Sequence, residues 1–435
     1  MPDRTILVTA LHGAGWHPAA WRADPAVARD TTRLAHWRRV VVEQDRAGID
    51  AVTLEDAFTA GPLDADGDLD TRTVVGRLDA LLVASAVAPA TRSVGLVPTV
   101  SVTHTEPFHV ATGLQTLDHV SAGRAGWRIQ VSPTTREAAL FGRRSGDDPA
   151  TLAAEAREVA EVVSRLWDSW DDDAIIRDVA TGRFIDRDRI HDARFAGEHV
   201  SVHGASIVPR SPQGRPPVFG LAHDDDAARL AVDTADVVLV TPGASGPSGP
   251  SGPSGAVRGV GAVGAVDGAG AVDGAGAVGG VGGVGGVGLE ARGALARVRH
   301  AEQAAGSATV RPVLADLAVL LGSSVAEAED ELAALDAASG SPYSGASDAA
   351  VLATTATGLV DRIADLRAIG YAGVRLRPLR TPADSTAIAR QLVPALVTAG
   401  LRADPPSRPT VDLRTRLGIA PAVSRYAVPA QGVSS

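Results

Sequence analysis

The sequence predicts a closed (β/α)8 barrel, the TIM-barrel architecture, as a single domain over residues 1–420. Eight short apolar runs alternate with segments whose apolar residues recur every three or four positions, the pattern of parallel strands joined by helices. A chain of 435 residues with 45% apolar residues is long enough to build one large α/β domain. An open, doubly wound sheet is the alternative that the same alternation allows.

Each predicted strand is an apolar run bounded by residues that favour turns, and each predicted helix has apolar residues on one face. The predicted strands are Thr5–Ala10, Ala51–Leu54, Ser93–Thr99, Trp127–Val131, Pro217–Leu221, Val237–Thr241, Val310–Leu321 and Gly373–Arg377. The predicted helices are Thr31–Ala47, Gly76–Ala88, Pro107–His119, Thr151–Trp167, Asp224–Thr234, Leu289–Ala305, Val325–Ala337, Gly358–Ile369 and Pro382–Ala399. Polar residues at the carboxyl ends of the strands are the first candidates for a ligand site.

Two segments interrupt this alternation. Residues 171–215 are polar with short alternating pieces, which predicts an insertion that carries a small hairpin. Residues 243–288 contain three Gly-Pro-Ser repeats and then irregular Gly, Val and Ala units, too irregular for a collagen helix. We expect a disordered loop there, for which inert repeat expansion is a simpler explanation than a lid. Residues 421–435 are expected to form a flexible tail.

The composition argues against several classes of function. The net charge is −10, from 41 basic residues (all arginine) and 51 acidic ones, without a long basic block, so nucleic acid is not an expected partner. The absence of cysteine excludes disulfides and thiolate catalysis, and no histidine pair has a convincing partner carboxylate for a metal. Neither a secretory signal nor an apolar span of about 18 residues is visible outside the Gly-rich tract. We therefore expect a cytoplasmic protein without membrane contact.

Short motifs with a recognisable order run along the chain. They are His17-Pro-Ala-Ala-Trp21-Arg22, Glu55-Asp56, Thr99-Val-Ser101, Glu106-Pro-Phe-His109, Gly123-Arg-Ala-Gly-Trp127, Ala138-Ala-Leu-Phe-Gly142, Leu166-Trp-Asp-Ser-Trp170, Pro209-Arg-Ser-Pro-Gln-Gly-Arg215 and Leu413-Arg-Thr-Arg-Leu-Gly418. Together they resemble the bacterial luciferase-like flavin-dependent monooxygenases, most closely the branch of the nitrilotriacetate monooxygenase large component. The resemblance covers most of the chain outside the Gly-rich tract and the tail.

This resemblance implies a luciferase-like barrel enzyme, an oxidoreductase that uses reduced FMN and O2 to oxygenate a small nitrogen- or sulfur-containing organic substrate. A separate flavin reductase would supply the reduced FMN, and family analogy implies a homo-oligomer. The expected catalytic residues are His17 and His104, both in predicted loops at the catalytic face. The residues expected to contact the cofactor are Asp56, Thr99, Ser101, Arg128, Ser132, His223 and Asp224.

Two positions depart from the family pattern. Arg128 stands where the family usually has an asparagine, and an arginine can only donate hydrogen bonds. It would either stabilise an anionic reduced flavin or fill the space that the ring needs. The segment that resembles the phosphate site begins its helix with Asp224, Asp225 and Asp226. Aspartates are good helix caps, but each would repel a nearby phosphate by roughly 1 to 4 kcal/mol.

These departures leave two alternatives to the flavin monooxygenase. The first is a catalytically silent barrel with a degenerate flavin site, acting as a partner subunit or as a binder of a small ligand. The second is an oxidoreductase that uses the deazaflavin F420, whose phosphodiester would meet the same aspartates.

Overall fold

The computed structural model describes residues 4–62, 68–144, 147–242, 284–343, 348–403 and 411–427. Its strands are β1 (Ile6–Leu11), β2 (Ala51–Leu54), β3 (Gly95–Ser101), β4 (Trp127–Gln130), β5 (Ile175–Asp178), β6 (Arg183–Ile185), β7 (Phe195–Ala196), β8 (Ser201–Val202), β9 (Val218–Leu221), β10 (Val237–Val240), β11 (Val313–Leu321), β12 (Ala350–Thr354) and β13 (Gly373–Pro378). Its α-helices are α1 (Ala20–Ala23), α2 (Pro25–Asp30), α3 (Leu34–Ala47), α4 (Ala80–Val87), α5 (Pro107–Ser121), α6 (Thr135–Phe141), α7 (Pro149–Asp168), α8 (Asp225–Thr234), α9 (Val284–Ala304), α10 (Val325–Ser339), α11 (Ala356–Ile369), α12 (Ala383–Ala387), α13 (Val393–Thr398) and α14 (Leu413–Arg416). None of these helices combines the length and the apolar character needed to span a membrane.

Eight parallel strands form a closed ring in the order β1, β2, β3, β4, β9, β10, β11 and β13, and β13 pairs with β1 to complete it. In that closing pair Ile6 lies beside Gly373, and β10 pairs with both β9 and β11. The ring confirms the predicted (β/α)8 barrel and rules out the open sheet, which would leave two strand edges unpaired. All eight predicted strands are present, with ends that shift by at most three residues.

The elements that were not predicted from the sequence are the short helices α1, α2 and α14, strand β12 and helix α6. The pairing of β10 with β11 ends at Ala315. Strand β12 then pairs with β11 from Leu317 onward. Helix α6 follows β4 and begins with a capping box, in which Thr134 Oγ1 accepts from the Glu137 amide at 3.2 Å. Strand β12 and helix α6 lie after strand ends, and they therefore shape the catalytic face of the barrel.

The interruptions of the barrel differ in detail from their predictions. The insertion 171–215 carries two antiparallel hairpins, β5–β6 and β7–β8, instead of the single one expected. Of the predicted loop 243–288, residues 243–283 lie outside the described part of the chain, while 284–288 belong to helix α9. In the predicted tail, residues 421–427 contact the insertion, with the Tyr426 ring stacked on His191 at 4.2 Å. Residues 428–435 lie outside the described residues.

Helix α14 closes the amino-terminal end of the barrel. Leu413 and Leu417 are fully buried there against a cluster that includes Ile6, Val97 and Phe219. Gly95 makes this possible, because a Cβ at that position would lie 2.5 Å from Leu413 Cδ1. These two leucines form an apolar plug. Burying each leucine side chain away from water stabilises the barrel by about 1.5 to 3 kcal/mol.

Three of the recognisable sequence motifs meet at this same end. Gln213 Nε2 donates to Asp118 Oδ1 at 2.6 Å and to the Ala125 carbonyl at 2.8 Å. The Arg414 amide donates to Gln213 Oε1 at 3.0 Å, and the Leu413 amide donates to the Gly123 carbonyl at 2.9 Å. The motifs 123–127, 209–215 and 413–418 therefore hold the scaffold together at the end opposite the strand termini that carry chemistry in barrels of this type.

Candidate active site

Charged side chains fill the carboxyl end of the barrel interior. Because side chains alternate along a strand, Arg375 and Arg377 lie on the same face of β13, and both are completely buried. Four more charged residues from other strands and loops meet them inside the barrel. We call this group the mouth network; it consists of Glu55, Arg128, Asp316, Asp348, Arg375 and Arg377.

Glu55, which directly follows β2, binds two arginines. Arg128 Nη1 lies 3.0 Å from Glu55 Oε2, and Arg375 donates to the other carboxylate oxygen. Arg128 Nη1 also donates to Thr99 Oγ1 at 3.0 Å and to Gln130 Oε1 at 3.1 Å. Thr99, which we expected to contact the cofactor, therefore orients Arg128.

Asp316 joins the two arginines of β13. Its Oδ2 accepts from Arg375 Nη1 at 2.6 Å and from Arg377 Nη2 at 2.5 Å. Arg377 also binds Asp348, and its guanidinium carbon lies 4.5 Å from the centre of the Trp16 ring. The indole of Trp16 therefore covers the network on one side.

The network fixes the ionisation of its members. Burial opposes the charge on Glu55, but the fields of Arg128, Arg375 and Arg377 outweigh it and lower the pKa of Glu55 to about 2. Burial lowers the pKa of Arg128, against the opposing field of Glu55. Arg128 Nε, Arg377 Nε and Asp316 Oδ1 have no hydrogen-bond partner within the described residues. Buried polar atoms without partners are costly, so these three are candidate ligand contacts.

A cavity of about 410 Å³, the larger cavity, lies beside Arg128 between β4, β9, α7 and α8. Arg128 and Gln130 line it at the strand end, and Ala153, His223 and Asp226 line it on the helix side. The segments that the resemblance assigns to the ring and to the phosphate of a flavin therefore border one cavity. Arg128 and His223 are about 95 positions apart in the sequence, so no local sequence pattern predicts that they line the same cavity.

Asp224 is the cap of helix α8. Its Oδ1 accepts from the Ala227 amide at 2.7 Å, and its Oδ2 lies 3.3 Å from His223 Nε2. The contact with His223 lowers the pKa of Asp224 to about 2. The His223–Asp224 contact lacks hydrogen-bond geometry, and neither His223 ring nitrogen has a hydrogen-bond partner in the described part of the chain.

The two following aspartates are each paired with an arginine. Asp225 lies 3.0 Å from Arg297 Nε, and Asp226 binds Arg229 one turn along the helix. The repulsion that we expected from three free carboxylates is therefore reduced, because each has a cation or a helix amide as its partner.

A cavity of about 70 Å³, the smaller cavity, lies beside Glu55 over β1 and β2. Its walls include His12, Trp16, Trp37 and Arg77. Burial lowers the pKa of His12, and the charge of Arg77 adds to this effect. The Glu55–Arg128 ion pair thus separates the two cavities, since Glu55 borders one and Arg128 borders the other.

His17 lines the smaller cavity, but both of its ring nitrogens are engaged. Nδ1 accepts from the Ala19 amide at 3.1 Å, and Nε2 lies 3.1 Å from Asp336 Oδ1. The ring also packs on Tyr343, at 5.2 Å between centroids. This geometry ties the loop after β1 to α10 and leaves His17 no nitrogen for a substrate.

His104 lies after β3 with a free nitrogen. Its ring stacks on Phe141 at 4.6 Å and lies 6.1 Å from Phe58, and its buried Nε2 has no partner among the residues described. Burial lowers the pKa of His104, with a further contribution from Arg144. Of the two histidines expected to be catalytic, His104 therefore keeps a ring nitrogen without a partner in the described residues, whereas His17 does not.

The other residues expected to contact the cofactor, Asp56, Ser101 and Ser132, form hydrogen bonds with nearby protein groups. Asp56 accepts from the amides of Ala57 and Ala80, both at 2.8 Å, and so satisfies the first amide of α4. The hydroxyls of Ser101 and Ser132 lie 2.9 Å apart at the ends of β3 and β4. Ser101 and Ser132 are thus adjacent to each other, whereas Asp56 is committed to a helix terminus.

Sequence reasoning missed the partners of Arg128. Glu55 was noted only as the end of a strand, and Asp316, Arg375 and Arg377 were not singled out. A signal was present: Gly373-Val-Arg-Leu-Arg377 places two charges at alternate positions of an apolar strand, and therefore on one face. A buried strand tolerates such charges only when partners meet them inside the barrel.

Comparison with known proteins bears on this geometry. Residues 12–249, more than half of the chain, match the family model described as luciferase-like monooxygenase. The chain belongs to the luciferase-like monooxygenase family. This confirms the resemblance drawn from the sequence motifs.

Curated members of the luciferase-like family match over part of their length. N-acetyl-S-(2-succino)cysteine monooxygenase of Bacillus subtilis (strain 168) is 33% identical over 231 residues, which are 52% of this chain and 50% of that protein. Nitrilotriacetate monooxygenase component A of Aminobacter aminovorans is 32% identical over 231 residues, 52% of this chain and 51% of the relative. The chain thus spans about half the length of the curated relatives it matches.

A solved structure of the same fold matches nearly the whole chain. The EDTA monooxygenase from Chelativorans sp. BNC1 superimposes with a TM-score of 0.72 at 21% identity, covering 96% of this chain and 98% of that one. At this identity the likeness supports the fold alone, and it agrees with the closed luciferase-like barrel described above.

The residues of the larger cavity fit the flavin that the family resemblance implies. Arg128 Nε and the two His223 ring nitrogens are polar atoms without hydrogen-bond partners in the described structure, and the first lies at the strand end while the others lie near α8. Arg128 Nε and the His223 nitrogen that carries the proton can donate to the acceptor atoms of a flavin ring and its polar side chain. In the described ranges, no group of three or more His, Asp or Glu residues is arranged to hold a metal ion.

Proposed function

We propose that this protein is a flavin-dependent monooxygenase that uses reduced FMN and O2 to oxygenate a small organic substrate containing nitrogen or sulfur. The observation that carries the proposal is the larger cavity, where the strand end with Arg128 faces the start of α8 with His223. Membership of the luciferase-like family supports the class of reaction, and relatives named for nitrilotriacetate and for N-acetyl-S-(2-succino)cysteine support the substrate class.

When bound, a reduced flavin supplies the electrons that activate O2 for insertion into the substrate. Arg128 is the residue we assign to binding and orienting the ring, because its Nε is free and the Glu55 ion pair holds its guanidinium in place. Ser101 and Ser132 hold the strand end next to it through their 2.9 Å contact. His223 is the donor that we assign to the polar side chain of the cofactor.

His104 is the residue we assign to proton transfer. Burial keeps its imidazole neutral near pH 7, so that its free Nε2 can accept a proton from a bound group. The rings of Phe58 and Phe141 pack around it and give that side of the mouth an apolar surface. His17 takes a positioning role, since its contacts with Ala19 and Asp336 hold the loop after β1.

A separate flavin reductase is the partner that this reaction requires. The name of the nitrilotriacetate monooxygenase relative, component A, supports an enzyme system of more than one component. In addition, family analogy supports a homo-oligomer. A reductase that delivers reduced FMN by diffusion needs no dedicated contact surface on this chain.

Titration with FMN tests the proposal directly. Oxidised and photoreduced FMN are added to the purified protein under anaerobic conditions, with binding followed by flavin fluorescence and absorbance. We expect saturable binding of the reduced form and a loss of about tenfold in affinity for His223→Ala, the worth of one hydrogen bond to a charged group. Arg92→Gln, which removes an exposed charge before β3, is the matched control and should bind as the wild type does. Absence of binding of either form at high micromolar FMN would contradict the proposal.

The mouth network favours a second candidate, a barrel that has lost the flavin and acts as a partner subunit or small-ligand binder. Where the resemblance implies an asparagine, this chain has Arg128, and it pairs with Glu55 inside the barrel. The double variant Glu55→Ala with Arg128→Asn removes the pair. If only the double variant binds FMN, the second candidate is correct for the natural sequence.

A further inference from the structure

Arg77 is a half-buried cation at the mouth of the barrel, and it has no partner among the described residues. It lines the smaller cavity, and the structure gives it neither an ion pair nor a hydrogen bond within the described residues. Its Nε is shielded from solvent and has no acceptor. The arginines of the mouth network contrast with it, because each of them binds at least one carboxylate.

The acids nearest to Arg77 are already occupied. Glu55, Asp56 and Glu137 all act on Arg77 through their charge. Glu55 binds Arg128 and Arg375, Asp56 accepts two backbone amides, and Glu137 closes the capping box of α6. Burial lowers the pKa of Arg77, yet a guanidinium remains charged at neutral pH. The donors of Arg77 are therefore available to a ligand.

The other walls of the smaller cavity define what such a ligand looks like. Trp16, Trp37 and Leu78 supply apolar surface, and His12 lies with Nδ1 3.3 Å from the Gly15 carbonyl, which leaves its Nε2 free as an acceptor. A volume of about 70 Å³ holds a group of a few heavy atoms. An acidic group with a short apolar or N–H-bearing stem matches these walls.

We infer that Arg77 binds the carboxylate of the substrate, so that the protein selects small organic acids. A planar guanidinium pairs with a carboxylate through two parallel hydrogen bonds, which makes this contact both strong and directional. The identification of the bound acid as a substrate rests on the proposed monooxygenase function. The binding of a carboxylate at Arg77 is independent of it.

The test measures acid binding without flavin. Trp16 and Trp37 line the cavity, so intrinsic tryptophan fluorescence reports occupancy, and calorimetry checks the affinity. The probes are N-acetylglycine and its amide, N-acetylglycinamide, which share a shape but differ in charge. We expect the acid to bind with saturation and the amide to bind at least tenfold more weakly.

Variants assign this preference to Arg77. Arg77→Gln should lose about tenfold or more in affinity for the acid, and Arg77→Lys should lose less because it keeps the charge. Arg92→Gln, at the opposite end of the barrel, should bind the acid within about twofold of the wild type, because its side chain is exposed and pairs with none of the described residues. Because Arg77 donates no hydrogen bond within the described structure, thermal unfolding of these variants should match the wild type.

Equal binding of acid and amide by the wild type would overturn the inference, and so would unchanged acid binding in Arg77→Gln. Failure of the wild type to bind the acid at all would also overturn it. If Arg77→Gln does not fold, the ratio of acid to amide affinity in Arg77→Lys decides the question in the same way. A protein that binds no FMN but binds the acid through Arg77 would contradict the proposed function and leave this inference standing.

Discussion

The two ends of the barrel interior are built from the same strands yet differ completely in chemistry. Along β2 the inward positions change from Ala51 to Thr53 and then Glu55, and along β13 they change from Gly373 to Arg375 and Arg377. Four residues along a strand separate an apolar plug from a network of buried charges. The difference teaches that the alternation of side chains lets one strand serve stability at one end and chemistry at the other.

The charged end is the costlier of the two. Removing an ion from water costs several kcal/mol even after the protein relaxes, and well-packed apolar residues of the same volume often stabilise a protein as much or more. The apolar end shows that this barrel can fill its interior with leucine, valine and phenylalanine. The charges at the mouth are therefore explained better by a ligand than by stability.

Removing Asp316 should have the largest effect on stability. Asp316→Ala leaves Arg375 and Arg377 with one carboxylate each inside the barrel, and we expect a loss of about 3 to 5 kcal/mol in the free energy of unfolding. Urea denaturation followed by circular dichroism measures it. Asp173→Ala removes an exposed acid that pairs with Arg189, and should cost no more than about 0.5 kcal/mol. Similar losses in the two variants would erase the distinction between the mouth network and a surface ion pair.

Acid should weaken the charged end selectively. The pKa of Glu55 is lowered from 4.5 to about 2, so its contribution is fully present above pH 4.5 and disappears as the pH falls from 4.5 towards 2. At 1.36 kcal/mol per pH unit, that contribution is about 3 kcal/mol. Thermal unfolding between pH 6 and 2 measures it, and Glu55→Gln should show a shallower fall than the wild type. Parallel curves for the two proteins would show that Glu55 does not titrate as the mouth network requires.

At the apolar end, a cavity should lower the free energy of unfolding by an amount that does not depend on pH. Leu417→Ala removes a completely buried side chain from the plug, and we expect a loss of about 2 to 3 kcal/mol, the lower part of the range for such changes. The same loss should be measured at pH 7 and pH 4, because no titrating group of the network is affected. A pH-dependent loss would mean that the two ends of the barrel are coupled.

The smallest effect concerns the larger cavity. Asp224→Ser keeps a good cap on α8 and removes one negative charge beside His223, so FMN should bind about fivefold more tightly, an effect of about 1 kcal/mol. Asp173→Ser removes the same charge from a distant exposed loop and is the control. Equal affinities in Asp224→Ser and the wild type would show that the aspartate does not face the phosphate.

Local patterns were enough to predict the scaffold. Every barrel strand is an apolar run with turn residues at its ends, and this signal does not depend on contacts elsewhere. Strand β12 was not predicted because Ala350–Thr354 is short and half-buried at the edge of β11, and its residues are hardly more apolar than their neighbours in sequence. Helix α6 was not predicted because its capping box lies in a segment that was interpreted as a loop.

The site was harder to predict because its contacts are distant in sequence. Arg128 was recognised as a departure from the family pattern, but its pairing with Glu55 joins two strands, and Arg375 reaches Glu55 from the last strand of the barrel. His17 and Asp56 carry suitable chemistry, yet their atoms are used by local hydrogen bonds. Residue type identifies candidates, and only the three-dimensional arrangement shows which of them retain free atoms.

The plug also has a consequence for biosynthesis. Leu413 and Leu417 cover a surface that includes Ile6 and Val97, which leave the ribosome long before them. Until the last part of the barrel sequence has been translated, the growing chain lacks β13, the strand that pairs with β1 and closes the ring. The apolar residues at the amino-terminal end of the barrel are then exposed. A nascent chain in this state is a natural client for a chaperone, and a stall late in translation would release a product prone to aggregation.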